Sequence, residues 1–254
     1  MKKHLFVILF IWLWPVINVS GQTSESQWVL FSEFSPYSRT GENRILPNSR
    51  EHSNLEWRNR IGKMVNSHTA LGLILNYRHY NYNEPVTYLL ENPSSSFSYQ
   101  YSVKNSLLGT GAFMTRFFQI HKRIQLQASL YGVYEWGEGS YTMTLQDYQC
   151  AGCFTNGLNF GVRTGDIENQ TLKERNFFGG LDFSVSYAIS PRINLLTGIN
   201  LLQYENYSIS EGKRIAPTLG TSVLYRQLNV KEYGISTIFD RPIMHFGIVV
   251  SLPK

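Results

Sequence analysis

The amino-acid sequence predicts an all-β fold, a closed antiparallel barrel of eight transmembrane strands. The first observation is an alternation of large apolar and small polar residues, which is clearest at 177–190. A period of two is typical of a β-strand, because successive side chains point to opposite sides of the sheet. The second observation is that short and long connections alternate along the chain. The third is an N-terminal segment of the kind that directs export.

The N-terminus has the pattern of a secretory signal peptide. Two lysines precede an apolar run at 5–17, and small residues follow it before a predicted cleavage site at Gln22. The run contains Pro15 and is shorter than the roughly 20 residues that a membrane-spanning helix needs, which disfavours the alternative of an anchor helix. We therefore predict a signal peptide at 1–21 and a single barrel domain at 22–254.

The composition favours an exported β-protein and excludes one class of partner. Charged residues are 16% of the chain, below the roughly 25% of ordinary soluble domains, and aromatic residues are 14%. After the leader, the sequence contains neither an apolar run long enough for a membrane helix nor a Pro/Ser-rich linker. The net charge is +5, but the basic residues are dispersed and no basic helix is predicted. We therefore expect no nucleic-acid partner.

Eight segments with the β alternation follow the predicted cleavage site. They are 27–35, 54–65, 69–82, 101–119, 124–138, 177–190, 193–207 and 242–252. In the first three, the apolar face is Trp28, Leu30 and Phe34, then Leu55, Trp57 and Ile61, then Leu71, Leu73, Leu75 and Tyr77. The fourth has large apolar residues on both faces, and we expect Leu107, Phe113 and Phe117 to face outwards. Leu108, Ala112 and Arg116 would then point inwards.

The last four segments oppose an apolar face to serine, glycine, asparagine or glutamine. The apolar residues are Ile124, Leu126, Leu130, Tyr134 and Trp136, then Phe177, Leu181, Phe183, Val185, Tyr187 and Ile189, then Ile193, Leu195, Ile199 and Leu201, then Phe246, Ile248, Val250 and Leu252. An extra hairpin of 218–227 with 230–239 would add two strands. A ten-stranded barrel is therefore the structural alternative.

The connections between these segments differ in length in a regular way. Those after the second, fourth and sixth segments are very short, at 66–68, 120–123 and 191–192. Those after the first, third, fifth and seventh are long, at 36–53, 83–100, 139–175 and 208–241. Outer-membrane barrels combine short periplasmic turns with longer extracellular loops. An even number of strands then places both termini in the periplasm, whereas a soluble barrel or sandwich has no reason to sort its loops.

Four stretches of the chain carry a resemblance to a known family. They are WVLFSEFS at 28–35, NRIGKMVNSHTALGLILNY at 59–77, GTGAFMTRFF at 109–118 and FGIVVSL at 246–252. With these stretches in this order, the chain resembles the small outer-membrane β-barrel proteins of the OmpA/OmpX-like and OmpW-like group. The resemblance implies an eight-stranded barrel in the bacterial outer membrane, and it implies little about activity.

The polar faces of the predicted strands place charged residues inside the barrel. They are Glu33, Glu56, Arg58, Arg60, Arg78, Arg116, Glu135 and Asp182. An eight-stranded barrel is just wide enough to be filled by its own side chains. Buried charges are tolerated when they are paired and hydrogen-bonded, and the planar fork of arginine suits carboxylates. The balanced set of acids and arginines predicts an ion-pair network that plugs the lumen. A polar path for small solutes and catalysis by the carboxylates are the alternatives.

The remaining motifs with chemical content are few. Cys150 and Cys153 form a C-x-x-C motif in the longest predicted outer loop. In an exported chain we favour a local disulfide, and the alternatives are a free or metal-bound pair or a redox role. The six histidines are scattered, and the sequence contains no H-E-x-x-H, G-x-S-x-G or P-loop motif. We therefore predict no catalytic residues, no metal site and no cofactor.

The predicted outer loops are rich in Tyr, Asn and Ser, which supply adaptable contacts, so we expect any surface ligand to bind there. A solvated outer face is expected for Asp147, Asp166, Glu168, Lys173, Glu174 and Arg175. We also expect the protein to be a monomer that is surrounded by outer-membrane lipid. The predicted function is a non-enzymatic outer-membrane protein with a structural or surface-interaction role. A narrow passive pore, a lipid-acting membrane enzyme and a secreted soluble barrel are the rival predictions.

Overall fold

The described part of the chain is a sheet of long antiparallel strands. The structure, a computed structural model, describes residues 27–36, 51–89, 95–150, 165, 167–216, 229–237 and 243–252. Within these ranges, no helix has the length and apolar character needed to cross a membrane. The predicted signal peptide at 1–21 lies outside the described residues and stays a prediction.

Nine strands make up the sheet. They are β1 (Trp28–Ser35), β2 (Glu51–Asn66), β3 (Thr69–Leu89), β4 (Ser95–His121), β5 (Ile124–Cys150), β6 (Ile167–Ala188), β7 (Ile193–Ala216), β8 (Asn229–Thr237) and β9 (Met244–Leu252). Each strand from β1 to β7 pairs with the next one along the chain, and β7 also pairs with β9. Because β9 pairs in turn with β1, the sheet closes on itself. The predicted class, a closed antiparallel ring of eight strand positions, is confirmed.

Two strands, β8 and β9, share the eighth position of the ring, because each pairs with a different part of β7. The first part of β7, Ile193 to Ile199, pairs with β9, and the part from Leu202 to Ser210 pairs with β8. Both partners use the same edge of β7, so β8 adds no place to the ring. The described strands therefore occupy eight positions in the ring rather than ten. The first strand of the suggested extra hairpin, 218–227, lies outside the described residues.

The three links that the sequence predicts to be short are tight turns, but the strands are longer than expected, and one link predicted to be long is short. Tight turns at 67–68, 122–123 and 189–192 all lie at one end of the ring, which we call the turn end. At the other end, the predicted link 83–100 shrinks to 90–94, because β3 and β4 continue into it. Both β4 and β5 have 27 residues, whereas a tilted strand crosses a membrane in about 9–11.

On most strands, successive side chains point alternately to the outside and the inside of the barrel, and the residues on each face are those predicted. On β3, for example, Leu73 and Leu75 are exposed on the outer face while Ile74 and Asn76 are buried inside. The pairing of β6 with β7 has three register shifts, and one of them lies next to Leu202. Inward residues therefore have even numbers before this shift and odd numbers after it.

The fourth strand departs from the prediction, because its two faces are the reverse of those expected. Inside are Leu107, Phe113 and Phe117, and outside are Leu108, Ala112 and Arg116. Leu107 is fully buried, whereas Leu108 is 58% exposed. The Arg116 guanidinium lies over the ring of Phe118, 5.6 Å from its centroid, on the outer wall. The expectation that Arg116 lies in the lumen was wrong, because the interior at this level is packed with aromatic rings.

Candidate functional site

The interior of the barrel is the candidate functional site, and it is filled by three successive groups of side chains. The group nearest the turn end is apolar, and we call it the aromatic floor. It contains Val29, Phe31, Ala70, Ile74, Phe113, Phe117, Tyr131, Val133, Phe178, Leu196 and Val249. Phe31 packs edge-on against Phe113, with ring centroids 5.6 Å apart, and stacks with Phe117 at 6.3 Å. Aromatic rings are therefore packed together in the part of the interior nearest the turn end.

Arg60 connects the aromatic floor to the charged middle of the lumen. Its guanidinium pairs with Glu33 and donates hydrogen bonds to the hydroxyls of Thr115, at 3.3 Å, and Ser129, at 3.0 Å. Its flat face lies over the ring of Phe31, 4.2 Å from the centroid. The charge is thus held by a carboxylate, two hydroxyls and an aromatic face, which offset the cost of burying it.

Arg58, two residues before Arg60 on the same inner face, bridges three carboxylates. Its nitrogens lie 2.8 Å from Asp182, 3.1 Å from Glu56 and 3.9 Å from Glu33. The guanidinium also lies 4.5 Å above the ring of Tyr131. Arg58 therefore joins β1, β2 and β6 across the lumen.

Arg78 organises the second half of the charged middle, further from the turn end. Its guanidinium lies 2.9 Å from Glu135 and 3.3 Å from Glu174. Two asparagines complete the pairing of these acids: Asn76 donates to Glu135 at 2.6 Å, and Asn176 donates to Glu174 at 2.7 Å. Side chains from β3, β5 and β6 are tied together at this level.

Glu174 is a lumen residue that the sequence analysis assigned to the solvated outer face. Its carboxylate accepts hydrogen bonds from the Tyr80 hydroxyl and from Asn105, the latter at 2.6 Å. The signal was present in the chain, since Leu172, Glu174 and Phe178 continue the inward parity of β6. It was missed because the predicted strand began too late.

A tyrosine-rich group fills the interior beyond the charged middle. It contains Tyr80, Tyr82, Tyr99, Tyr101, Val103, Leu107, Tyr141, Met143, Leu145, Leu172, Tyr207 and Ile209. The rings of Tyr101 and Tyr141 pack across β4 and β5 at 5.6 Å. These residues explain why the strands extend beyond their predicted ends, because they bury apolar ring surface inside the barrel while the outer face becomes polar.

The charges of the lumen are not balanced among the residues that the structure describes. The buried acids are Glu33, Glu56, Glu135, Glu174 and Asp182, and the buried arginines are Arg58, Arg60 and Arg78. The expected equality of acids and arginines was wrong for two reasons: Arg116 lies outside, and Glu174 lies inside. All other predicted lumen residues point inwards.

One hydrogen bond in the lumen has the composition of a nucleophile–base pair. The Ser184 hydroxyl and Nε2 of His245 are 3.0 Å apart, and Gly198 lies beside both, so that an added Cβ there would collide with them. Both side chains are buried, which keeps a substrate away from the hydroxyl. The pair therefore acts as a lumen contact between β6 and β9. The described residues contain no group of three or more acids, histidines or cysteines that could hold a metal ion.

The C-x-x-C motif cannot be placed as a pair. Cys150 is the last residue of β5, and Cys153 lies outside the described residues. The disulfide stays a prediction.

The fold and its interior define a class of molecule, a closed antiparallel β-barrel whose lumen is filled by side chains. No protein-family model matches the chain, and no curated protein matches it. Among solved structures, it is similar to a major outer membrane protein from Thermus thermophilus, with 10% identity and a TM-score of 0.45 over 90% of this chain and 100% of that one.

Two further solved structures are similar to the chain. Neisserial surface protein A (NspA) has 14% identity and a TM-score of 0.32, over 89% of this chain and 95% of its own. Ail, the attachment invasion locus protein of Yersinia pestis, in complex with the heparin analogue sucrose octasulfate, has 11% identity and a TM-score of 0.33, over 89% and 97%.

Proposed function

We propose that the protein is an integral β-barrel of a bacterial outer membrane, a monomer with a structural or surface-interaction role and no enzymatic activity. The observation that carries this proposal is the outer face of the ring. Large apolar side chains there are exposed on neighbouring strands, for example Trp57 on β2, Leu75 on β3 and Leu108 on β4. A soluble barrel would leave this surface in water, whereas a bilayer covers it.

The apolar surface forms a band of the height that a membrane requires. On β4 the outward side chains from Leu108 to Phe118 are apolar except for Thr110 and Arg116, and this length is close to the 9–11 residues that a tilted transmembrane strand needs. The edge of the band furthest from the turn end has large side chains on four neighbouring strands. They are paired in register and are Trp57, Tyr77, Leu108 and Trp136. Aromatic residues at that height fit a membrane–water interface.

Beyond this band the barrel extends into water, which supports a role at the cell surface. Outward positions there are polar, such as Ser102, Lys104 and Ser106 on β4, and Lys173 pairs with Glu138 at 3.8 Å in an exposed contact. Trp28 of β1 pairs with Leu252 of β9 at the turn end, so the first described strand begins, and the last one ends, on that side. By analogy with other outer-membrane barrels, the turn end is periplasmic and the extension is extracellular.

The filled lumen supports a closed barrel in preference to a pore. A solute would have to displace the packed rings of the aromatic floor and separate buried ion pairs, each of which would leave an uncompensated charge. The excess of acids would make any leak selective for cations. The ion-pair network is thus proposed as a plug that also ties opposite strands together.

The proposal is tested by the behaviour of the full chain in membranes. We expect outer-membrane fractionation, and faster migration on a denaturing gel for the unheated than for the boiled protein. In planar bilayers we expect no stable conductance. Recovery in the soluble periplasm would refute the membrane barrel, stable conductance would favour the pore, and altered lipid A or phospholipid on overexpression would favour a lipid-acting enzyme.

A further inference from the structure

Among the residues that the structure describes, the charges on the outer surface at the turn end have one sign. Its basic residues on the outer surface are Lys63, Arg116, Lys122, Arg123 and Arg192. The described strand ends and turns that surround them, 28–32, 61–72, 112–130, 183–199 and 244–252, contain no acidic residue. The opposite end is different, because exposed Lys173 lies beside exposed Glu138 there. The asymmetry is therefore specific to the turn end.

These cations lie among the aromatic and aliphatic residues that end the apolar band. Arg116 stacks over Phe118, and the Arg123 guanidinium donates a hydrogen bond to the Tyr187 hydroxyl at 3.4 Å. That hydrogen bond raises the pKa of Arg123 above its usual value. The aromatic rings are themselves exposed on the outer wall, and so the charges occupy the height of a membrane–water interface.

One of the cations lies beside a tryptophan, and the backbone of a second lies two strands away from it. Lys63 on β2 is the cross-strand partner of Trp28, and both side chains are exposed. On the other side of β1, Trp28 pairs with Leu252, and the backbone N–H of the adjacent Ser251 donates to the carbonyl of Arg192 at 2.9 Å. Trp28 therefore reports on lipids that contact this part of the ring.

We propose that this basic ring binds the headgroups of anionic phospholipids in the leaflet around the turn end. The inference rests on the proposed function, since it requires the barrel to lie in a bilayer. Several lysines and arginines next to an apolar surface attract an anionic membrane surface, and no neighbouring carboxylate competes for them within the described ranges. The ring thereby fixes the depth of the barrel and favours one lipid class around its periplasmic rim.

The test uses the fluorescence of single tryptophans in reconstituted full-length protein. One version keeps Trp28, with Trp57→Phe and Trp136→Phe; the other keeps Trp136, with Trp28→Phe and Trp57→Phe. Trp12 and Trp14 lie in the predicted signal peptide and are replaced by phenylalanine in both versions. Each is placed in mixed vesicles of phosphatidylglycerol and phosphatidylcholine in which one lipid at a time has brominated chains, because bromine quenches tryptophans that the lipid contacts. We expect Trp28 to be quenched preferentially by phosphatidylglycerol and Trp136 to show no such preference.

Charge substitutions then assign the preference to the basic ring. In the Trp28 version, Lys63→Gln with Arg192→Gln should lower the phosphatidylglycerol preference by about fivefold for each charge removed. The matched control, Lys104→Gln with Lys173→Gln, removes the same charge at the opposite end and should leave the preference unchanged. Added salt should weaken the preference, whereas inorganic phosphate at equal ionic strength should not displace the lipid.

The possible results separate the inference from the proposed function. Quenching of Trp28 by both lipids without preference would overturn the inference while leaving the membrane barrel intact. Loss of the preference with phosphate would assign the ring to a free anion instead. An absence of quenching by either lipid in a heat-modifiable, folded protein would refute the membrane barrel itself. Variants are compared only after the gel shift shows that each has folded.

Discussion

Replacing Arg78 with methionine removes a buried cation while keeping much of the side-chain volume. Its guanidinium lies 2.9 Å from Glu135 and 3.3 Å from Glu174, and it is almost fully buried. The substitution would leave two buried carboxylates without their cation. Breaking a buried pair in this way costs about 3–5 kcal/mol. We expect the free energy of unfolding to fall by roughly that amount, since Asn76 and Asn176 can compensate only part of the lost charge.

The assay is urea unfolding of the protein in phosphatidylcholine vesicles, followed by the gel shift between folded and unfolded forms. Arg78→Met combined with Glu135→Gln should recover part of the loss, because one carboxylate is neutralised together with the cation. The control is Lys173→Met, whose partner Glu138 is 71% exposed, and exposed pairs contribute at most about 1 kcal/mol. If Arg78→Met and Lys173→Met lowered stability equally, the buried network would not hold the barrel together.

Three further predictions test the outer face, the floor and the lumen contact. Leu73→Lys, at a position that is 63% exposed near the middle of the band, should cost about 2–4 kcal/mol in a bilayer, whereas Ser106→Lys beyond the band should be nearly neutral; equal effects in urea titrations would argue against lipid contact. Phe31→Ala with Phe113→Ala should open a cation-selective leak in planar bilayers, and a silent variant would mean that the charged middle alone closes the lumen. Gly198→Ala should separate Ser184 from His245 and lower the unfolding free energy by about 1–3 kcal/mol, and an unchanged urea midpoint would show that the strands adjust.

The alternation of residue types was enough to predict the closed ring and the facing of most strands. It failed on β4, where Leu107 and Leu108 are equally apolar, and where Leu107 turns inwards because it packs with the tyrosine-rich group of the interior. Local pattern contains no information about that packing. The same limit applies to β7, where a shift in register near Leu202 exchanges the two faces.

The sequence predicted the residue types that line the charged lumen, but it did not predict every residue there. Glu33, Arg58 and Arg60 were placed by parity on strands whose ends were clear. Glu174 was missed because the outer face of β6 becomes polar at Lys173 and Arg175, so the strand looked finished. Strand ends above a membrane have to be located from the inner face, where Leu172 and Asn176 still follow the period of two.

The division of the last ring position between β8 and β9 has a consequence for how the molecule is assembled. Contacts between β7 and β8 are local in the chain, whereas the β1–β9 seam joins its two extremities through only a short ladder from Trp28 to Phe34. Closing so large a loop carries the highest entropic cost of any pairing in the molecule. We therefore expect this seam to be the last pairing to form during insertion and the first to separate under mechanical force.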